Sequence, residues 1–293
     1  MRYKRFPPFG GNLLLSTSSR RAALSALALY PACRARAVWG QRVARAAVEL
    51  FGTGVLPGRE VTWEPERECP LWPELVEQWS RRFGRLRATG VFESVGAGFS
   101  ALLSRQDEPV GFVKLGGAGR SIGNEREAIR AMGGHDPRSF AVPEVLDAGS
   151  IDGWHWILTG SLPAEPTREP ADPPLGTILE EVQAGLSALS RPPDAPAHWR
   201  PMHGDFTPWN LRRLADGVLL LFDWERAGWG PPDADRVFYL ATRAAVHGDA
   251  PPDGAARETT GYWREAILKR DRVRDSWLAR GILAALDRME AKR

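Results

Sequence analysis

Two short segments concentrate the residues that could do chemistry. Residues 202–211 read MHGDFTPWNL and residues 219–225 read LLLFDWE. Within them Asp205 follows His203 by two positions, Asn210 comes five later, and Asp223 stands thirteen beyond that. Transfer of a phosphoryl group to a hydroxyl needs a carboxylate to accept the hydroxyl proton, and hard oxygen ligands for Mg2+. Asp205, Asn210 and Asp223 are residues of those types. Asp223 ends an apolar run, which would hold a costly anion in fixed geometry. The plain alternative for Asp205 and Asn210 is a turn in which they cap backbone groups. His203 reads as a structural histidine, because Asp205 already fills the proton-accepting role. A transition-metal site on His203 and Asp205 lacks a third soft ligand at a useful spacing.

The spacing His-x-Asp-x4-Asn, followed by a strand-borne aspartate, is the one kinase catalytic loops use. HGDFTPWNL together with FDWE resembles the catalytic segment of the aminoglycoside phosphotransferase and choline kinase family, small-molecule kinases with a protein-kinase-like fold. The resemblance implies that Asp205 is the catalytic base, that Asn210 and Asp223 bind magnesium, and that His203 props the loop. Glu225 stands where protein kinases carry a glycine, as relatives in this family often have it. Asp235 falls where the family has a buried aspartate that orders the catalytic loop from a following helix.

A kinase needs further parts upstream: a strand lysine on the α- and β-phosphates, paired with a glutamate on the next helix. GFVKL supplies Lys114, and NEREAIRAM supplies Glu125 eleven residues on. Glu127 competes, but Glu125 keeps the four-residue offset to Ile129 that the family shows. Before both comes VGAGFS, where Gly96, Gly98 and the hydroxyl of Ser100 could let a hairpin backbone approach phosphates. A plain hairpin turn fits those three residues as well. HWILTGSLP, residues 155–163, resembles the connector whose backbone reads the adenine edge. The order of glycine loop, lysine, glutamate, connector, catalytic loop and metal aspartate is intact over residues 91–240.

The elements that must position these groups can be read coarsely. Residues 19–51 repeat apolar side chains every three to four positions and predict helix, until Pro57 and Gly58 break it. Residues 72–83 predict a second helix. Beyond Leu86, residues 91–95, 101–105 and 110–115 predict a twisted antiparallel meander. Residues 125–132 predict helix and 154–159 a buried strand. Residues 164–174 are Pro-rich and read as a hinge. Helix is predicted again for 178–190, strand for 218–223, and helix with breaks for 234–246 and 258–289. This order predicts an α+β protein with a kinase-like two-lobed fold, a small antiparallel-sheet N-lobe and a mostly helical C-lobe. The expected divisions are a basic, mostly helical extension at 1–86, the N-lobe and connector at 87–163, and the C-lobe at 164–293.

The 293 residues are 43% hydrophobic and 26% charged, which excludes a disordered tail protein, a collagen-like chain and a small disulfide scaffold. No apolar run approaches the roughly 18 residues of a membrane span. The longest, residues 22–30, is also too short and too interrupted for a signal peptide. Cys33 and Cys69 form no Cys-x-x-Cys pair and read as reduced, small apolar side chains, so a cytoplasmic protein is expected.

Charge divides the chain. Nine basic residues and no acidic one precede Glu49, while the remainder carries a net charge of −6. No recognition motif accompanies the basic segment, so no nucleic-acid partner is expected. By the resemblance, relatives start near the first strand and shape the acceptor site with the stretch before the catalytic loop, which is short here. The basic helices could therefore offer Arg20, Arg21, Arg34 and Arg36 to an anionic acceptor, or contact an anionic membrane surface. The reading adopted is a structural cap, with Leu27 and Trp39 as packing residues. Most of the twelve tryptophans read as core, with Trp209, Trp224 and Trp229 candidates for the wall of an acceptor pocket.

Together these observations point to a small-molecule kinase that moves the γ-phosphate of ATP or GTP, with Mg2+, to a hydroxyl of a sugar, sugar derivative or amino alcohol. Antibiotic O-phosphorylation is the alternative within the family. A nucleotide-binding pseudokinase scaffold is the rival from another class, and Asp205, Asn210 and Asp223 together argue against it.

Overall fold

The computed structural model describes residues 2–8, 11–30, 32, 35–93, 97–117, 122–161, 167–270 and 276–290. The chain forms two compact units, Met1–Arg126 with Pro143–Thr167, and Glu127–Val142 with Arg168–Arg293.

The first unit opens with strands β1 (Arg2–Phe6) and β2 (Leu13–Ser16), then helices α1 (Arg20–Ala28) and α2 (Ala35–Phe51). Strand β3 (Glu60–Thr62) and helices α3 (Pro65–Glu68) and α4 (Trp72–Phe83) follow. Strands β4 (Arg87–Glu93), β5 (Gly98–Arg105) and β6 (Glu108–Gly116) lead to helix α5 (Ile122–His135), of which the residues up to Arg126 belong to this unit, and β7 (Val145–Ile151) and β8 (Trp154–Gly160) complete it. All eight strands form one antiparallel sheet in the order β3-β1-β2-β4-β5-β6-β8-β7.

Side chains alternate across a strand, and here both faces are covered. Leu13 and Leu15 of β2 pack with Ala23, Ala26 and Leu27 of α1 and Val48 of α2. Leu14, between them, enters the opposite cluster with Trp72, Leu75 and Trp79 of α4. That second layer is rich in aromatic edge-to-face contacts, with the Phe99 ring 4.8 Å from Trp63 and 5.0 Å from Trp72. Such pairs add about 0.5–1.5 kcal/mol each to the burial of their area. The indole N–H groups of Trp79 and Trp156 both donate to Asp147 Oδ2, at 2.6 and 3.0 Å, joining α4 to the β7–β8 edge. Cys69 is a buried free thiol, as its reading as a small apolar side chain expects.

The first 86 residues carry strands as well as the expected helices. They supply three strands, and β2 pairs with β4 across the expected boundary. The sheet is therefore larger than the small one foreseen. Their basic residues reach acids far along the chain: Arg2 pairs with Glu60 at 3.3 Å, Arg5 with Glu93, and Arg21 with Glu108. Lys4 Nζ donates to the carbonyls of Gly54 and Leu56. Leu27 is buried as expected, but Trp39 is 70% exposed and packs no core. Cys33 and Arg34 lie outside the described residues.

In the second unit, helix α6 (Leu175–Leu186) precedes strands β9 (Arg200–Met202), β10 (Leu211–Arg213), β11 (Leu219–Leu221) and β12 (Gly228–Gly230), and helices α7 (Ala234–His247), α8 (Arg257–Arg270) and α9 (Ser276–Met289) close it. β10 pairs with β11 and β12 with β9, both antiparallel. The face of α6 carrying Ile178, Leu179, Val182 and Leu186 is buried. Phe238 of α7 stacks on Trp263 of α8 at 4.0 Å, within a core that includes Ile282 and Leu286 of α9. Glu181 accepts the backbone N–H groups of Arg138 and Ser139, and Ala141 exchanges backbone bonds with Leu219 and Leu221. These contacts fix the segment after α5 against β11. The chain is thus α+β, one unit built on an antiparallel sheet and the other mostly helical. No described helix is long and apolar enough to cross a membrane.

Candidate active site

The turn that follows β9 begins with a buried histidine and a glycine that no other residue could replace. Gly204 has φ +76°, and a Cβ there would lie 2.0 Å from the Arg226 carbonyl oxygen. His203, fully buried, accepts the Asp205 N–H at Nδ1 (3.2 Å), so its Nε2 carries the proton donated to the Phe222 carbonyl, also at 3.2 Å. The ring is thereby held as the neutral tautomer and ties the backbone of Asp205 to the residue before Asp223.

Asn210 closes the loop. Its Nδ2 donates to the Asp205 carbonyl at 2.9 Å and to Asp205 Oδ2 at 3.1 Å. The Asn210 carbonyl in turn accepts the Phe222 N–H at 3.1 Å. With both amide bonds made by Nδ2, the oxygen Oδ1 is the end of Asn210 left to accept or ligate. Asp223, two residues past β11, sits at φ +71° and ψ 57°. Asparagine and aspartate tolerate that left-handed region better than other side-chain-bearing residues, and backbone held there often marks a working site.

Asp235, in the first turn of α7, accepts the N–H of His203 at Oδ2 (2.7 Å) and of Gly204 at Oδ1 (3.0 Å). Burial pushes its carboxyl up to about 7; the two N–H bonds oppose that rise and the charge of Asp205 adds to it. The second unit therefore brings His203, Asp205, Asn210 and Asp235 into one hydrogen-bonded constellation, with Asp223 following directly on Phe222. Trp224 is not a pocket wall. It is fully buried, stacked on Phe140 at 6.3 Å and 4.5 Å from the His203 ring.

In the first unit, Lys114 on β6 meets Glu125 in the first turn of α5. Nζ lies 3.0 Å from Oε1 and 2.9 Å from Oε2, with the two side chains 13% and 5% exposed. Glu127 is exposed, and Glu125 is the glutamate that pairs with Lys114. Ser100 faces Lys114 in the β5–β6 register, and Gly98 faces Gly116. Gly98 has φ +115°, and a Cβ there would fall 2.1 Å from the Leu115 carbonyl oxygen. Gly96 lies outside the described residues, as do residues 162 and 163 of the expected connector. Residues 155–160 of that connector belong to β8, paired with β6. What the linear pattern did not show is the role of Phe222, whose two backbone groups join His203 to Asn210; the only available signal was its place before Asp223.

Comparison with known proteins adds to this geometry. No curated protein matches the chain by sequence. Among solved structures, a protein assigned as fructosamine-3-kinase from Haemophilus somnus is similar at 12% identity and TM-score 0.46, over 74% of this chain and 97% of that one. A thermostable mutant of aminoglycoside phosphotransferase APH(4)-Ia gives 11% identity and TM-score 0.43, over 72% and 88%. Aminoglycoside phosphotransferase APH(3'')-Id from Streptomyces rimosus gives 14% and 0.40, over 75% and 98%. The model of the phosphotransferase enzyme family matches residues 187–278, the stretch that holds His203, Asp205, Asn210, Asp223 and Asp235. Over that stretch the chain matches the phosphotransferase family that its catalytic segment resembles.

Proposed function

We propose that the chain transfers the γ-phosphoryl group of ATP or GTP to a hydroxyl of a small molecule. The observation that carries this reading is the Asp205 carboxylate, bonded to Asn210 Nδ2 in a loop that His203 and Asp235 fix through its backbone. Asp205 orients the acceptor hydroxyl and takes its proton as the phosphoryl group leaves the nucleotide. Lys114, braced by Glu125, holds the α- and β-phosphates. Gly98 and Ser100 give those phosphates a backbone without side-chain obstruction and a hydroxyl. His203 has both ring nitrogens engaged by backbone groups, so it positions Asp205 and does not exchange protons with the acceptor.

The donor set fits Mg2+. Asn210 Oδ1 and the Asp223 carboxylate are hard oxygen ligands, and the two Nδ2 bonds of Asn210 decide which end of its amide can ligate. Mg2+ neutralises charge on the transferring phosphate when bound. The protein's own contribution is positioning, through a loop whose backbone is held by His203 and Asp235.

The test is release of ADP or GDP from the purified chain with Mg2+ and a panel of sugars, sugar derivatives, amino alcohols and aminoglycosides. Asp205→Asn should lower turnover by about 100-fold or more while leaving nucleotide affinity within about twofold. Comparable turnover in that variant would remove Asp205 from the role of base.

A further inference from the structure

Helix α2 is apolar on two sides, and only one of them is covered. Val48 and Ala44 pack into the cluster under β2. On the open side Trp39 is 70% exposed, Val43 45% and Leu50 69%, with Ala46 exposed between them. At about 100° per residue these four fall within an arc of roughly 60°. A surface helix ordinarily shows solvent a polar face, so an apolar stripe in this position marks a surface meant for a partner.

The flanks of the stripe say what that partner is. Arg36 lies just beyond one edge and Arg42 just beyond the other, both exposed and without an ion pair among the described residues. This sets them apart from Arg2, Arg5 and Arg21, whose carboxylate partners are given above. Glu49 is the one acid on the helix. An exposed tryptophan with aliphatic neighbours and flanking arginines has the chemistry of a helix lying in the headgroup region of an anionic bilayer. A second copy of the chain fits less well, because two such faces would set four arginines against two glutamates.

We infer that α2 seats this protein on anionic phospholipid, with Trp39, Val43, Ala46 and Leu50 entering the interface and Arg36 and Arg42 meeting the headgroups. The catalytic residues play no part in this inference.

The test is flotation of the full chain with vesicles of phosphatidylcholine alone and of phosphatidylcholine with phosphatidylglycerol at 3:1. Binding is expected on the mixed vesicles, at least tenfold tighter than on phosphatidylcholine and weakened by salt. Each basic residue at an anionic surface contributes about a fivefold factor, so Arg36→Gln with Arg42→Gln should lose roughly 25-fold on mixed vesicles. Trp39→Ser with Leu50→Ser should lose at least tenfold. All four positions are exposed, so both pairs should keep the parent thermal midpoint, which separates lost contact from lost fold. Absence of binding to mixed vesicles would overturn the inference, as would binding that neither pair of substitutions changes. So would sedimentation showing a dimer that Trp39→Ser with Leu50→Ser dissolves, which would assign the face to a second copy.

Discussion

Replacing Glu125 by glutamine keeps the side chain's volume and removes its charge. In the folded chain its two oxygens lie 3.0 and 2.9 Å from Lys114 Nζ, with the side chains 5% and 13% exposed. Taking one member from so enclosed a pair strands an ammonium away from water, at a cost of about 3–5 kcal/mol if no bond is restored. Glutamine restores one acceptor, so about 2–3 kcal/mol is expected. For a unit of about 150 residues that lowers the thermal midpoint by roughly 5–10 °C. Glu127→Gln, at an exposed position of the same helix, should stay within about 0.5 kcal/mol. The double variant Lys114→Met with Glu125→Leu removes both charges and should recover most of the stability, with a coupling of about 2 kcal/mol in the cycle. Nucleotide affinity, measured by calorimetry, should follow the lysine and stay lost in the stable double variant. If Glu125→Gln costs less than about 0.5 kcal/mol, or the single effects simply add, the pair is not the brace described here.

Three further outcomes follow from the geometry. Asp223→Ala should abolish the Mg2+-dependent part of nucleotide binding, read by calorimetry with and without the metal, and unaltered binding would move the metal site elsewhere. Asp235 has its carboxyl raised by burial from 3.8 to about 7, so the folded chain holds a proton that the unfolded chain has lost. That contribution, on the order of 4 kcal/mol, is complete below about pH 4 and disappears as pH rises through 7; urea midpoints at pH 5 and pH 8 should differ in that sense, and Asp235→Asn should narrow the gap. Gly98→Ala forces a Cβ to 2.1 Å from the Leu115 oxygen at φ +115° and should cost at least about 2 kcal/mol, whereas Gly133→Ala in α5, with open space at its Cβ, should gain about 0.5 kcal/mol in the same thermal melts.

The loop from His203 to Asn210 could be read in the sequence because its contacts are local: His203, Asp205 and Asn210 lie within eight residues and bond to one another and to the turn just past β11. The Lys114–Glu125 pair was nearly as legible, since one strand and the helix after it carry both groups. The offset to Ile129 that the resemblance supplies already favoured Glu125 over Glu127, and the helix phase sets Glu125 against Lys114 and leaves Glu127 exposed. The N-terminal strands were hidden for the opposite reason. β1 reads RYKRF, with one apolar side chain for each face, Tyr3 and Phe6, and no alternation to mark it; its charges are met only when Glu60 and Glu93, about 60 and 90 residues away, reach Arg2 and Arg5. β2 reads LLLS, an unalternating run of four that makes sense only once both faces of the sheet have their own helices.

The same non-locality explains Trp39. Apolar spacing along α2 says that the helix has faces to bury, and it cannot say how many of them the rest of the chain supplies. The fold supplies one, through α1 and β2. The sequence pattern assigned Trp39 to packing because tryptophan in a helix usually finds a core, and the structure leaves it 70% exposed, on the side of α2 away from the cluster under β2. A basic segment read from charge alone thus separates into two populations. Arg2, Arg5 and Arg21 belong to the fold, each with a carboxylate. Arg36 and Arg42 stand beside exposed apolar side chains, with no ion pair among the described residues.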